Sequence, residues 1–222
     1  MPVKNDREYR DFTSFQLVEK RASEEDGEGG MFVEGYASTF ELYTLFEDTW
    51  NGRKEIFNEV IDRDAFNETD MSDVVFLRDH TGQVLGRTKN GLVRLSVDDK
   101  GLFTRTDLSK TEGARQMFED IKAENYSQMS FAFISDRDLE DWTEERNGDV
   151  TIYTRIIKKV KKIFDVSAVG FPANPTTDIG VATRSIFDGE IEKFRAERLE
   201  REQRDRARAV LALKIKMTEA TR

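Results

Sequence analysis

Residues 92–106 read LVRLSVDDKGLFTRT, and this stretch decides the fold class of the chain. Two runs of apolar and β-branched residues flank residues 98–101, where acidic side chains and a glycine are typical of a tight turn. The stretch therefore predicts an antiparallel β-hairpin. Other short runs of β-forming residues lie on both sides of it, at 32–40, 56–61, 74–77, 127–134, 150–157 and 160–171.

One helix is predicted among these strands. Residues 109–112 have the spacing of a capping box, Asn125 is the predicted end, and four apolar residues between them recur on one helix face: Ala114, Met117, Phe118 and Ile121. The charged stretch 136–149 contains Asn-Gly at 147–148 and is predicted to be a hairpin loop. About seven short strands with one internal helix favour an α+β fold, a mostly antiparallel β-barrel with surrounding helices.

The composition divides the chain into three parts. Residues 1–30 are polar, with glycines and acidic residues concentrated at 23–30, and are predicted to be a flexible segment. Residues 31–180 contain the predicted strands and form the main domain. Residues 181–222 are predicted to form a charged helical tail, because Glu and Arg recur there four residues apart and only its end, 210–217, is weakly apolar.

The charge pattern argues against several classes of protein. Of the net charge of −9, the last 38 residues account for +2, with ten basic against eight acidic side chains, so the preceding part is strongly acidic. An acidic body is a poor surface for nucleic acid. No apolar run approaches the length of a membrane span, and no secretory signal is visible, so an intracellular soluble protein is predicted.

The chain has one histidine, His80, and no cysteine. This excludes a thiol nucleophile, a disulfide framework and a zinc site built from several Cys or His ligands. His80 follows an apolar β-rich run and precedes a glycine turn, which is where a sheet often presents catalytic groups. The alternative is a solvent-facing or structurally bonded histidine.

Two further residues have the properties of catalytic groups. Ser130 is a small hydroxyl between bulky apolar neighbours on a predicted strand, although a serine tolerated on a half-buried strand is the alternative. Asp165 interrupts an apolar run, where a carboxylate needs a partner. That partner is either a Lys or Arg, or an imidazole whose tautomer the carboxylate would hold. The residues alone leave these alternatives open.

Four stretches in order carry a resemblance to a known family. They are EGYASTF at 34–40, LRDH at 77–80 with VLGRT at 84–88, MSFAF at 129–133, and FDVSAV at 164–169 with PANP at 172–175. Over roughly residues 31–178 the chain resembles the prohead, or capsid-maturation, proteases of tailed phages, which are similar in fold to the herpesvirus assemblins.

The resemblance implies roles for the candidate residues. The histidine after Arg-Asp is the base in this family and the serine before an aromatic residue is the nucleophile, which identifies His80 and Ser130. The chain departs from the family at Ala132, where glycine is usual, and at Asp165, where glutamate is common. Either Asp165 orients His80 or the enzyme works as a Ser–His dyad, and Asp79 is a weaker candidate for the third group.

The implied activity is that of a serine endopeptidase without metal or organic cofactor. It would act inside the procapsid in the host cytoplasm, cleave the scaffolding segment of the major capsid protein and then itself, and be lost from the mature virion. The resemblance also implies self-association as a dimer or higher oligomer. Two alternatives are a non-catalytic assembly factor, whose charged tail docks to the shell, and a carboxylate-dependent hydrolase, which the many acidic residues would allow.

Overall fold

The computed structural model describes residues 7–13, 15–20, 30–170 and 178–220. In this part of the chain, thirteen strands and two α-helices are joined by short 3-10 helices at Thr88–Asn90 and Arg137–Leu139. The elements are β1 (Glu8–Thr13), β2 (Phe15–Lys20), β3 (Gly30–Thr39), β4 (Tyr43–Trp50), β5 (Arg53–Ile61), β6 (Val75–Arg78), β7 (Thr81–Arg87), β8 (Val93–Val97), β9 (Gly101–Asp107), α1 (Glu112–Lys122), β10 (Gln128–Ser135), β11 (Asp141–Asn147), β12 (Val150–Ile157), β13 (Val160–Val169) and α2 (Asp178–Ala220).

The strands form three sheets, with the orders β1-β10-β13-β6-β7, β11-β12-β5-β4 and β2-β3-β9-β8. Most neighbouring strands are antiparallel, and the parallel pairs within the described sheets are β12 with β5 and β13 with β6. The predicted α+β class is therefore confirmed. Each sheet is open over the described residues, and closure of the strands into a single barrel stays a prediction.

The hairpin predicted from residues 92–106 is present as β8 and β9. The Asp98 side chain accepts hydrogen bonds from the backbone N–H groups of Lys100 at 2.8 Å and Gly101 at 3.1 Å, which fixes the turn. A Cβ atom at position 101 would lie 2.0 Å from the Ser38 carbonyl oxygen. Glycine is required there because β3 passes against the turn.

The predicted helix is α1, and its four apolar residues are all buried. Its N-cap is Thr111, whose hydroxyl accepts a hydrogen bond from the Ala114 N–H at 3.2 Å. The N-cap thus lies two residues after the Ser109 that opens the predicted capping box, and the helix ends at Lys122 rather than Asn125. The helix face packs on the main core, which also includes Phe66, Phe76, Phe131 and Phe133.

The prediction of a loop at 136–149 is wrong for most of that stretch, because β11 occupies residues 141–147 and pairs with β12 along its length. The turn between them is at Asn147-Gly148, where Gly148 has a φ of 63°. β11 is an edge strand with mostly exposed side chains. Charged residues are typical of such edges, so the composition of this strand imitates that of a loop.

The flexible segment predicted at 1–30 contains two strands, so that prediction is wrong for residues 8–13 and 15–20. β1 pairs with β10, and β2 pairs with β3. Residues 21–29 of the predicted flexible segment lie outside the described residues, as does the 172–175 stretch. The prediction was based on the polar composition of this segment. Two of its charged residues, Glu8 and Arg10, are in fact buried, at 3% and 2% exposure, among charged partners from distant strands.

These partners form a buried ion cluster under β1. The Arg10 guanidinium donates to Glu59 at 2.7 Å and to Glu8 at 2.8 Å, and Arg155 donates to Glu8 and Glu59, each at 2.9 Å. Burial acts to raise the pKa of Glu8, but Arg155 and Arg10 outweigh it and lower the pKa to about 2. The pKa of Glu59 is lowered by the same two arginines against the same effect of burial. Both carboxylates are therefore held ionised.

The cluster makes folding stability depend on pH in the acid range. Because the pKa of Glu8 falls from 4.5 to about 2 on folding, its contribution is complete above pH 4.5 and is lost as the pH falls towards 2. Glu8 alone should account for on the order of 3 kcal/mol. Urea denaturation between pH 6 and 2 should show this loss, and the Glu8→Gln variant should show a smaller loss. Equal pH dependence in both proteins would contradict the role of the cluster.

The chain divides into two compact units, residues 1–181 and 182–222. Most of α2 belongs to the second unit. Glu200 and Arg204 lie 3.5 Å apart on this helix, one of the predicted pairs. Large apolar side chains near its end are half or more exposed: Val210, Leu211, Leu213, Ile215 and Met217. Among the described helices, none is both long and apolar enough to cross a membrane.

Candidate active site

His80 lies in the turn that joins β6 to β7. Arg78 pairs with Thr81, and the two residues between them, Asp79 and His80, have φ values of 46° and 57°. Two left-handed residues at the centre of a hairpin are the geometry of a type I′ turn, which usually takes Asn-Gly. Non-glycine residues in this conformation cost on the order of 1–3 kcal/mol each, and such strain is typical of functional sites.

The strained turn is tied to the end of β13. The Asp79 N–H donates to the Ala168 carbonyl at 3.0 Å, and the Asp79 carboxylate accepts from the Gly170 N–H at 3.2 Å. Asp79 is therefore a turn residue that holds the position of His80, and its carboxylate faces Gly170. The position of the Asp79 carboxylate agrees with the prediction that Asp79 is a weaker candidate than Asp165 for the third catalytic group. Asp79 lies in a turn and not on a strand.

Ser130 and Asp165 come together because their strands are neighbours. In the pairing of β10 with β13, Ser130 is opposite Ser167 and Ala132 is opposite Asp165. Side chains two residues apart share one face of a sheet, so Ser130, Asp165 and Ser167 lie on the same face. β6 runs parallel to β13 on its other side and delivers His80 at its end. The sheet order thus brings three residues of distant sequence position to one place.

The three predicted residues form a continuous chain of hydrogen bonds. His80 Nδ1 lies 2.6 Å from Asp165 Oδ1, and His80 Nε2 lies 2.6 Å from Ser130 Oγ. Ser130 is fully buried, and the His80 side chain is 6% exposed. The alternative in which Asp165 is paired with a Lys or Arg does not describe this site, since its hydrogen-bond partners here are His80 and Ser167.

This chain of bonds can move a proton. When the Asp165 carboxylate accepts a hydrogen bond from Nδ1–H of the neutral imidazole, Nε2 is free to accept the hydroxyl proton of Ser130. The imidazolium that results would lie against the Asp165 carboxylate, which stabilises it. The geometry is therefore that of an activated serine nucleophile with an oriented base. Over the described residues, no group of three or more His, Asp or Glu side chains could hold a metal ion.

Sequence reasoning missed three contributors to the site. The Ser167 hydroxyl donates to Asp165 Oδ1 at 2.8 Å, and its position two residues after Asp165 on a strand was the available signal. The Tyr9 ring lies against His80, with centroids 4.6 Å apart and planes at 70°. The Arg10 carbonyl accepts a hydrogen bond from Ser130 Oγ at 3.0 Å. No sequence signal indicated either contact from β1.

Ala132, where the resembling family usually has glycine, is fully buried next to an irregularity in the pairing of β10 with β13. Its φ is not positive, so this backbone does not need glycine. The substitution is therefore compatible with the observed strand geometry.

Comparison with known proteins adds an independent finding. The family model of the caudovirus prohead serine proteases matches residues 16–190. A solved structure, "Structure of the bacteriophage T4 capsid assembly protease, gp21", is similar to the chain with a TM-score of 0.43 and 12% sequence identity, covering 74% of this chain and 98% of that one. No curated protein sequence matches the chain.

Proposed function

The chain belongs to the caudovirus prohead serine proteases, and from this premise we propose that it cleaves the scaffolding segment of the major capsid protein, and then itself, during procapsid maturation. The observation that carries the proposal is the hydrogen-bonded chain from Ser130 through His80 to Asp165. A serine endopeptidase of this family requires a nucleophile and a base in contact, and this chain of bonds supplies both.

The proposed mechanism is acyl transfer. Ser130 Oγ attacks the carbonyl carbon of the scissile peptide bond, and His80 Nε2 takes the hydroxyl proton and returns it to the leaving amine. Asp165 keeps the imidazole in the tautomer that can accept at Nε2, and backbone N–H groups stabilise the oxyanion. A water molecule then attacks the acyl-enzyme. His80 takes a proton from this water and returns one to Ser130 Oγ, which is released as the free hydroxyl. The family commonly has glutamate at position 165. The 2.6 Å distance between Asp165 Oδ1 and His80 Nδ1 supports the same role for the shorter aspartate.

The proposal includes where and in what state the enzyme works. It would act inside the procapsid as a dimer or higher oligomer, its domain would be an assemblin-like β-barrel, and it would be lost from the mature virion. Co-expression with the cognate capsid protein tests the main claim, with intact-mass analysis of both chains. Shortening of the capsid protein supports the proposal. An uncut capsid protein that still assembles only in the presence of this chain would favour the non-catalytic assembly factor.

We expect the chain to remove its own C-terminal tail. The exposed apolar end of α2 and its many charged side chains are those of a helix that is marginal without a partner, so it should open locally and become a substrate. Wild-type protein left to mature with capsid protein should lose about 30–40 residues, as measured by intact mass. The Ser130→Ala protein should keep its full length. An intact tail on enzyme that processes capsids would leave docking to the scaffolding segment as the role of the tail.

A further inference from the structure

The nucleophile is covered by the first strand of its own chain. Ser130 has no exposed surface, although an attacking hydroxyl must meet a substrate carbonyl. Its Oγ bonds both to His80 Nε2 at 2.6 Å and to the Arg10 carbonyl at 3.0 Å. A hydroxyl has one proton, so the Arg10 carbonyl competes with His80 for it. In this arrangement Ser130 is both inaccessible and less well activated.

The base is covered from the same strand. The Tyr9 ring packs edge-on against the imidazole of His80, and only 6% of the histidine side chain is exposed. Tyr9 and Arg10 are neighbours on β1, so one short strand closes the site over both the nucleophile and the base. Displacing β1 would open both at once.

The position of β1 is that of an added peptide strand. It lies at the edge of its sheet and pairs antiparallel with β10 over six residues, from Glu8 opposite Phe133 to Thr13 opposite Gln128. If β1 leaves, β10 becomes the edge strand and presents unpaired N–H and C=O groups. Such an edge binds an extended peptide by main-chain hydrogen bonds. The same edge carries Ser130.

The Arg10 carbonyl also lies where a scissile carbonyl would have to lie. A reacting carbonyl must come within about 3–3.5 Å of the nucleophile, and the Arg10 oxygen is 3.0 Å from Ser130 Oγ. This carbonyl presents its oxygen as a hydrogen-bond acceptor to the hydroxyl, whereas cleavage needs the carbon to face it. β1 can therefore fill the substrate place without being cut.

Charged side chains hold β1 in this place. Arg10 reaches Glu59 of β5 at 2.7 Å, and Glu8 accepts from Arg155 of β12 at 2.9 Å, all within the buried ion cluster. The family match begins only at residue 16, so β1 lies before the matched part of the chain. β1 is thus anchored to a neighbouring sheet by its own charged side chains.

We propose that β1 is a built-in pseudosubstrate, which occupies the binding place of an extended peptide substrate along β10 and must be displaced before Ser130 can react. The proposal rests on the proposed function of Ser130 and adds how the substrate binds and how the enzyme is kept latent. The ligand of the β10 edge is an extended peptide strand, paired antiparallel as β1 is.

A reversible cross-link between β1 and β10 tests this in the full chain. The variant Thr13→Cys with Gln128→Cys puts two thiols on directly opposite residues, in a protein with no other cysteine. Oxidation should hold β1 closed and reduce cleavage of co-purified capsid protein to a few per cent or less of the reduced activity. Addition of a reductant should restore it. The matched control, Thr143→Cys with Thr154→Cys in β11 and β12, should cleave equally in both states.

Two results of the cross-linking would overturn the proposal. One is equal cleavage by the oxidised and reduced forms of the β1–β10 pair. The other is a failure of its thiols to join under conditions in which the control thiols do, because the strands would then not be paired as described.

A second measurement needs no catalysis and so separates this proposal from the proposed function. In the Ser130→Cys protein, iodoacetamide can reach the thiol only when β1 is displaced, a state expected to be about 0.1–10% populated. Alkylation should therefore be about 10–1,000-fold slower than in the exposed Thr143→Cys protein. Comparable rates would overturn the covering by β1, even if Ser130 proves to be the nucleophile. Slow alkylation would support it, even if no cleavage is found.

Discussion

Ser130→Ala should fold like the wild type and lose proteolysis on the order of 10⁶-fold, the largest effect we expect from a single substitution. The hydroxyl supplies the attacking oxygen, and without it His80 has no proton to accept. The loss of stability should be about 1–3 kcal/mol, because the buried His80 Nε2 and Arg10 carbonyl each lose a hydrogen-bond partner. Cleavage of the capsid protein in co-expression measures the activity, and thermal unfolding checks the fold.

Ser127→Ala is the matched control for this substitution. Ser127 lies just before β10 and is exposed, so its hydroxyl can be removed without touching the site. The control should cleave like the wild type and be labelled by a serine-directed phosphonate, whereas Ser130→Ala should do neither. An inactive Ser127→Ala protein beside an active Ser130→Ala protein would show that the nucleophile is misassigned.

Asp165→Asn should keep the fold and lose activity on the order of 10⁴-fold, the second largest effect. An amide can donate to His80 Nδ1, and the imidazole would then carry its proton on Nε2, where it cannot accept from Ser130. His80→Ala should be as inactive as Ser130→Ala. The variant that carries both of these substitutions should be no less active than either alone, because the effects of residues that act as a unit are not additive. Capsid-protein cleavage rates measure all four proteins.

The same series separates a triad from a dyad. Full activity in Asp165→Asn would reduce the machinery to Ser130 and His80. Ser167→Ala serves as the comparison, because it removes one hydrogen bond to Asp165 and leaves the carboxylate and its 2.6 Å contact with His80. Its loss of activity should be smaller than that of Asp165→Asn.

The sequence was sufficient for elements that depend on local interactions. The turn after β8 follows from Asp98, whose side chain accepts hydrogen bonds from backbone N–H groups two and three residues further along the chain. The helix α1 follows from a hydroxyl cap and an apolar face, both readable at a spacing of three or four residues. The candidate residues His80 and Ser130, with Asp165 as the possible third group, were predicted from the order of four stretches, and the three side chains meet in the structure.

The sequence misled where burial depends on partners that are distant along the chain. β1 has the composition of a flexible segment, because the buried positions of Glu8 and Arg10 make sense only beside Glu59 and Arg155. β11 has the composition of a loop because one of its sides has no neighbouring strand. In both strands, the polar side chains suit positions that are set by the arrangement of distant strands, and no local sequence pattern indicates these positions.

The sequence by itself determined the α+β class and the single imidazole available for catalysis, and it named His80, Ser130 and Asp165 as candidates for the site. These follow from residue type and short-range order. Only the tertiary structure decided the left-handed turn that aims His80, the shared sheet face that joins Ser130 to Asp165, and the position of β1 over the nucleophile. The physical reason is that sheet order and ion pairing act between strands tens of residues apart, and these contacts form only when the whole chain folds.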